Sequence, residues 1–267
     1  MKAFLPLLAG SFVLAGCNLV VDEDDILLKL PPRLDTLGPD TVTMVGDQPG
    51  FSSVNGQEIF LTERPDFKAG DFDQYVDTAT GQEQFVYYAT TEDRLAAVMV
   101  IGTNTSANPA GSVTYFTDVD STMPITGSAT YTGSYAGILA GSSVEDEVNN
   151  NTHFLMSGDV SLRADFAALE VSGVVTNRRA RHRNSDNNAG DFGDITIAAA
   201  PIGVDGTFTG TTSGGRLLQA DWTATDGAVQ GIFVGPRAES ALGGIRLNHK
   251  DQGIQMHTEL GAFIVEK

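Results

Sequence analysis

Cysteine is almost missing from this chain: Cys17 is the only one in 267 residues. A lone thiol excludes an intramolecular disulfide framework and a cysteine-built zinc site. Lysine and arginine are sparse too, 16 against 34 aspartates and glutamates, leaving a net charge of −18. A field of that sign repels nucleic acid and anionic membrane surfaces, so no nucleic-acid partner is expected; it also suits the solubility of a secreted protein. The apolar run near the N-terminus, Ala3 to Val13, has eleven residues, whereas a membrane-spanning helix needs about 20. Catalytic signatures are lacking as well. There is no G-x-S-x-G elbow, no phosphate-binding G-x-x-x-x-G-K-[ST] loop, no H-E-x-x-H and no dinucleotide fingerprint. The histidines, His153, His182, His249 and His257, form no H-x-x-x-H pair. Nothing here composes a catalytic site, so no enzyme, cofactor or structural metal is expected.

Glycine, by contrast, is plentiful at 30 residues, while charged residues make up only 19%. That balance fits many short strands and turns better than helices. Met1-Lys2 is a minimal positive start, Ala3–Val13 an apolar segment, and Leu14-Ala-Gly-Cys17 a lipobox, so residues 1–17 read as a signal peptide. The alternative is a plain secretory signal with a chance cysteine. Resemblance to bacterial lipoproteins implies cleavage before Cys17, acylation (palmitate included) on that residue, and membrane attachment through the lipid. Asn18 follows where aspartate would mark inner-membrane retention, so the outer membrane is the expected address.

Residues 18–48 read as a flexible tether, with the acidic run Asp22-Glu-Asp-Asp25 and the breaker Pro31-Pro32. Residues 49–122 form a β-rich region with strand-like stretches at Gln57–Thr62, Gln84–Thr90, Arg94–Ile101 and Gly111–Asp118; alanines leave a helix open over Leu95–Ile101. Alternation puts Tyr87 and Tyr88 on opposite faces, so one of them is expected at the surface. Phe85, Tyr115 and Phe116 are further candidates for an aromatic contact surface, with core packing as the alternative.

From residue 123 to 267 alternation is cleaner. Tyr131 and Tyr135 share a face, as do Phe154, Met156, Val160 and Leu162; Ile195 and Ile197, then Phe208, then Leu218 and Trp222 follow. About eight strands are enough to close a barrel filled by side chains. Leu260–Val265 is one more strand, completing closure or lying beside it. Apolar faces inward and polar faces outward mark a soluble barrel rather than a membrane-spanning one. Gly235-Pro236 stops one strand, Arg237–Leu242 suits a single helical turn, and Gly243-Gly244 lets the backbone pass close to a neighbour.

Four motifs occur in order: Gly127-Ser-Ala-Thr-Tyr-Thr-Gly133, Arg163-Ala-Asp-Phe-Ala-Ala-Leu-Glu-Val-Ser-Gly173, Gly206-Thr-Phe-Thr-Gly210 and Gly231-Ile-Phe-Val-Gly-Pro-Arg-Ala-Glu-Ser-Ala-Leu-Gly-Gly244. Together they resemble the β-barrel domain of transferrin-binding protein B and its factor H-binding protein relatives, which are bacterial surface lipoproteins. Ser240-Ala241 departs from the usual acidic residue before the leucine. The resemblance covers about Ile125 to Leu247. It implies an all-β chain in which a small handle-like region precedes an eight-stranded antiparallel barrel. It also implies display on the cell surface and non-catalytic binding of a protein or iron-bearing ligand, beside an outer-membrane transporter. The alternatives are a structural or shielding lipoprotein without a dedicated ligand, and a lipocalin-type barrel around a small molecule.

One stretch stands apart from the acidic background. Arg178, Arg179, Arg181 and Arg183, with His182, are expected on a long loop at one barrel end, where guanidinium forks bind carboxylate, phosphate or sulfate. The alternative is a solvated loop balancing Glu145, Asp146 and Glu147. Asp186–Asp191 has oxygens compatible with calcium but lacks EF-hand spacing, so a plain turn is favoured. His249 and His257 flank a turn, can face each other across a hairpin, and would then offer an iron or haem ligand pair; the alternative, which is favoured, is a pair of solvated loop histidines.

Overall fold

The computed structural model describes residues 19–21, 26–30, 33–37, 42–45, 50–54, 61–77, 84–92, 96–103, 110–117, 121–141, 153–182, 188–215, 223–251 and 254–267. Their regular structure is almost wholly extended. The first half supplies β1 (Leu19–Val21), β2 (Ile26–Leu30), β3 (Arg33–Leu37), β4 (Val42–Val45), β5 (Gly50–Val54) and β6 (Thr62–Glu63). A 3-10 turn at Pro65–Phe67 leads to β7 (Asp73–Asp77), β8 (Gln84–Thr90), β9 (Ala96–Thr103), β10 (Ala110–Thr117) and β11 (Ser121–Pro124). The second half supplies β12 (Ser128–Gly141), β13 (His153–Asp165), β14 (Glu170–His182), β15 (Asn188–Asp191) and β16 (Ile195–Pro201). It ends with β17 (Thr207–Gly214), β18 (Thr223–Val234), β19 (Ser240–Asp251) and β20 (Ile254–Glu266). No helix among the described residues is long and apolar enough to cross a membrane.

The barrel is antiparallel, in the order β13-β12-β20-β19-β18-β17-β16-β14, and β14 pairs back onto β13 to close eight strands into a ring. Short β15 extends β14 at the rim. β20 bonds to both β12 and β19, so the strand over Leu260–Val265 completes closure rather than lying beside it. Alternation places Tyr131, Tyr135, Met156, Leu162, Phe208 and Phe263 inside with Phe233. The Phe233 ring stands 5.5 Å from each of Tyr131, Phe166 and Phe208, in the tilted geometries that aromatic quadrupoles favour.

Six strands in the order β3-β10-β9-β8-β7-β6 form the handle sheet. One face of it packs on the outside of the barrel: Phe85, Val98, Val100 and Tyr115 meet Ile138, Leu155, Ile232, Leu242, Leu260 and Ile264. The inside-apolar, outside-polar expectation therefore holds for β16, where Ile195 and Ile197 are buried and Thr196 is exposed. It fails for β18, β19 and β20, whose outer faces are covered. A strand buried on both faces reads as a continuous apolar run, and Ile232-Phe233-Val234 is one. The opposite face of the handle sheet is also buried at Val86, Tyr88, Met99 and Ile101. For that reason Tyr87 and Tyr88 are both core residues, as are Phe85 and Tyr115, and none of the four is a surface aromatic.

Other expectations are corrected by pairing. Residues 18–48 are not a plain tether: they contain β1 to β4, with β2 bonded to β11 and β3 bonded to β10. The alanines of Leu95–Ile101 sit in a strand, β9, whose every residue pairs with β8 or β10. The expected strand around Leu218 and Trp222 lies outside the described residues, as does most of Gln57–Thr62. Under the barrel, β1, β2 and β11 form a three-stranded sheet, and Met123 of β11 is fully buried in the barrel core.

Candidate functional site

The arginine-rich stretch is a strand, not a loop. Along β14 the inward positions are first Val171 and Val175; then Asn177 takes a positive φ of 53° and the register against β13 shifts. Such a bulge places two residues opposite one and exchanges the inward and outward faces. After it Arg178 and Ala180 point in while Arg179 stays out. Arg178 is therefore 1% exposed inside the barrel.

A buried guanidinium must be paired and hydrogen-bonded, and β20 with the β15–β16 connection meets that need at its two terminal nitrogens. Arg178 Nη2 donates to Glu259 Oε2 of β20 at 2.5 Å, and Nη1 donates to the Gly193 carbonyl at 2.5 Å. The Phe192 ring lies 5.8 Å from its Cζ. Glu259 Oε1 accepts from the Tyr135 hydroxyl of β12 at 2.6 Å, and His249 Nε2 of β19 stands 3.4 Å from Oε2. Burial by itself pushes Glu259 up; Arg178, His249 and Tyr135 outweigh it and hold the carboxyl at about 2. Burial, and then the Glu259 charge, push the Tyr135 phenol well above its ordinary range. The pair is neutral overall and both side chains are fully buried, so its chemistry is that of an internal clamp between β14 and β20.

The other arginine-stretch residues scatter. Arg179 is on the exposed face. Arg181 reaches the handle, donating from Nη1 to the Asp66 carbonyl at 3.1 Å and from Nη2 to the Lys68 carbonyl at 3.0 Å. His182 stacks at a tilt on Phe154, centroids 5.1 Å apart. Arg183, Glu145, Asp146, Glu147 and Asp186 lie outside the described residues, and Asn188 to Asp191 form β15 rather than a turn. The strand geometry thus disperses what the sequence suggested as one anion-binding loop. His249 and His257 are direct cross-strand partners, both buried. Among the described residues no group of three or more His, Cys, Asp or Glu is arranged to hold a metal. Sequence reading missed Glu259 and Tyr135; a single acidic residue within the apolar run of β20 was the available signal.

The Gly235 corner joins β18 to β19 at the opposite end of the barrel. It is a turn and not a helical step: Gly235, Arg237 and Ala238 all have positive φ, at 85°, 62° and 52°, and Ser240 already belongs to β19. β11 takes up the backbone groups a helix would have used. Thr122 N donates to Gly235 O at 3.1 Å, Ala238 N to Thr122 O at 2.7 Å, Gly235 N to Ser121 Oγ at 2.9 Å and Arg237 N to Thr122 Oγ1 at 2.7 Å. Tyr131 donates its hydroxyl to Ala238 O at 2.6 Å from within the barrel. Pro236 is exposed, whereas Gly243 and Gly244 are buried. A cleft of about 310 Å³ opens between handle and barrel, bordered by Asp71, Thr91, Glu92, Thr132, Val265 and Glu266. Cys17 lies outside the described residues.

The family described as the C-lobe and N-lobe beta barrels of Tf-binding protein B matches residues 123–263, more than half of the chain. The chain belongs to this family. The match begins within β11 and stops at Phe263, three residues before the end of β20. Among solved structures, intact Ap-TbpB with both lobes is 16% identical, with a TM-score of 0.46, covering 88% of this chain and 43% of that one. A double mutant of transferrin binding protein B from Haemophilus parasuis Hp5 is 14% identical, TM-score 0.48, covering 92% and 47%. The isotype 1 protein from serogroup B Neisseria meningitidis is 15% identical, TM-score 0.38, covering 78% and 36%. The chain spans less than half the length of each of these relatives. No curated protein sequence matches it.

Proposed function

We propose that this protein is a lipid-anchored, non-catalytic binding protein of the outer membrane, displayed on the cell surface, that captures a protein ligand. The observation that carries the reading is the family match of a barrel whose interior is occupied by Tyr131, Tyr135, Phe208, Phe233, Phe263 and the Arg178–Glu259 pair. A filled barrel leaves the outer surfaces and rims for recognition, which suits a macromolecule better than a lipocalin-type ligand. The lipobox ending at Cys17 supplies the anchor. The solved relatives are named for binding transferrin, so an iron-bearing protein is the first ligand to try, with an outer-membrane transporter as the recipient.

Protein lacking residues 1–17, immobilised and exposed first to iron-loaded transferrin and then to the natural growth medium, should retain a protein partner. Failure to retain any would overturn the binding reading and favour a shielding lipoprotein. Protease added to intact cells should degrade the chain; complete resistance in intact cells, with cleavage after lysis, would overturn surface display. Haemin titration separates out the haem variant of the reading, since the His249–His257 pair gives a spectral shift only if it ligates iron.

A further inference from the structure

The expected tether of some thirty residues would leave the barrel free to wander. As a flexible coil it would span roughly 30 Å on average. The strand pairing replaces that picture. Leu19 of β1 is opposite Leu28 of β2, and Leu28 is opposite Met123 of β11. Met123 is fully buried in the barrel core, and Ser121 and Thr122 beside it are tied to the Gly235 corner. Two strand spacings of about 4.8 Å put Leu19 roughly 10 Å from the Met123 backbone. Cys17 is only two residues earlier, about 7 Å of chain at most.

The same barrel end carries a second observation. Successive connections in an up-and-down barrel alternate ends, so the β13–β14, β16–β17 and β18–β19 turns lie together. The large apolar side chains left exposed among the described residues are Leu169, in the first of these turns, and Val204, in the second. Ile202 N donates to Leu169 O at 2.8 Å, which ties the two turns together. Leu169 is held at a positive φ of 53°, a conformation a leucine adopts only when its surroundings impose it. Exposed charges here are of both signs: Arg237 and Lys267 beside Glu170, Glu239 and Glu266. An anionic surface is therefore not what this end selects; a neutral apolar one is.

We propose that the corner end of the barrel seats directly on the lipid bilayer, held there by the short β1–β2–β11 connection to the acylated Cys17 and by contact through Leu169 and Val204. The opposite rim, with the β19–β20 hairpin, then faces away from the membrane. This rests on acylation of Cys17, the anchor part of the function proposed above.

The test uses the full acylated chain on phosphatidylcholine vesicles in which a fraction of the lipid carries a quencher near the headgroup. Single fluorophores are attached through Val204→Cys, in the corner-end turn, or Asp194→Cys, just before β16 at the opposite rim; β16 separates the two positions by roughly 23 Å. Quenching should be several-fold stronger at 204 than at 194. Inserting about twenty Gly/Ser residues between Asn18 and Leu19 should abolish that difference while vesicle binding and the β-sheet circular dichroism persist. Equal quenching at the two positions, stronger quenching at 194, or a difference that survives the insertion overturns the seating with the anchor intact. A Cys17 that carries no acyl mass and a chain that does not bind vesicles overturn the anchor itself, and the seating with it.

Discussion

Arg178 and Glu259 are each fully buried, so the pair behaves asymmetrically to mutation. Removing one partner strands the other's charge in the barrel, a change that costs about 3–5 kcal/mol, while replacing both by apolar residues of similar volume is far milder. Arg178→Met is expected in that range by urea denaturation, and the double variant Arg178→Met/Glu259→Leu should recover most of the loss. Arg179→Ser, next along the strand but exposed, should stay within about 0.5 kcal/mol. Equal effects of Arg178→Met and Arg179→Ser would show that the inward placement is wrong. The pair also sets an acid limit. Glu259 sits at about 2 in the folded chain against an ordinary 4.5. Its contribution is therefore fully present above about pH 4.5 and drains away as pH falls towards 2, because only the unfolded chain binds the proton in that window. Melting temperatures measured across it should fall with acid, and the Arg178→Met/Glu259→Leu variant should lose that part of the slope.

At the level of strands, close approach decides what the corner tolerates. A Cβ on Gly243 would stand 2.2 Å from the Gln230 carbonyl oxygen, inside the neighbouring strand's backbone. On Gly244 it would stand 2.8 Å from Val113, so that glycine is where the handle sheet touches the barrel. Gly244→Val should lower stability by about 1–3 kcal/mol through overpacking, and Gly243→Ala should lower the melting temperature more than Gly244→Ala does. An unchanged melting temperature in Gly244→Val would mean that the handle contact is loose. Period-2 alternation made the barrel strands legible wherever one face meets solvent, as at Ile195 and Ile197. It concealed Arg178 because the bulge at Asn177 inverts the faces in mid-strand; without it, Arg178 falls on the outward side. Alternation also concealed the handle contact, since no sequence pattern tells a covered outer face from a second interior. The pairing of β2 with β11 escaped notice for another reason: the two strands are separated by the whole handle, and contacts that distant leave no local trace.

Across the whole molecule, handle and barrel share one apolar contact layer, with Phe85, Val98 and Tyr115 against Ile138, Leu242 and Ile264. Arg181 adds two hydrogen bonds from the barrel to the carbonyls around the handle's 3-10 turn. The two parts should therefore melt in one cooperative transition. A piece comprising 123–267 alone would expose Ile138, Leu155, Ile232, Leu242, Leu260 and Ile264, an apolar patch that marks an interaction or aggregation surface. It should bind an apolar dye and self-associate, whereas the full chain should not. A monodisperse, dye-silent barrel piece with the melting temperature of the full chain would show the handle to be dispensable.

The position of Glu259 on β20 also has a consequence in time. During synthesis Arg178 leaves the ribosome long before its counter-charge exists, and β12 and β19 keep open edges until β20 arrives to fill the seam between them. A nascent chain short of that strand has neither ring nor neutral interior, so nothing rewards early collapse around the arginine. Closure of the ring therefore waits for β20, and a chain truncated before that strand is expected to stay open to protease where the longer chain resists it.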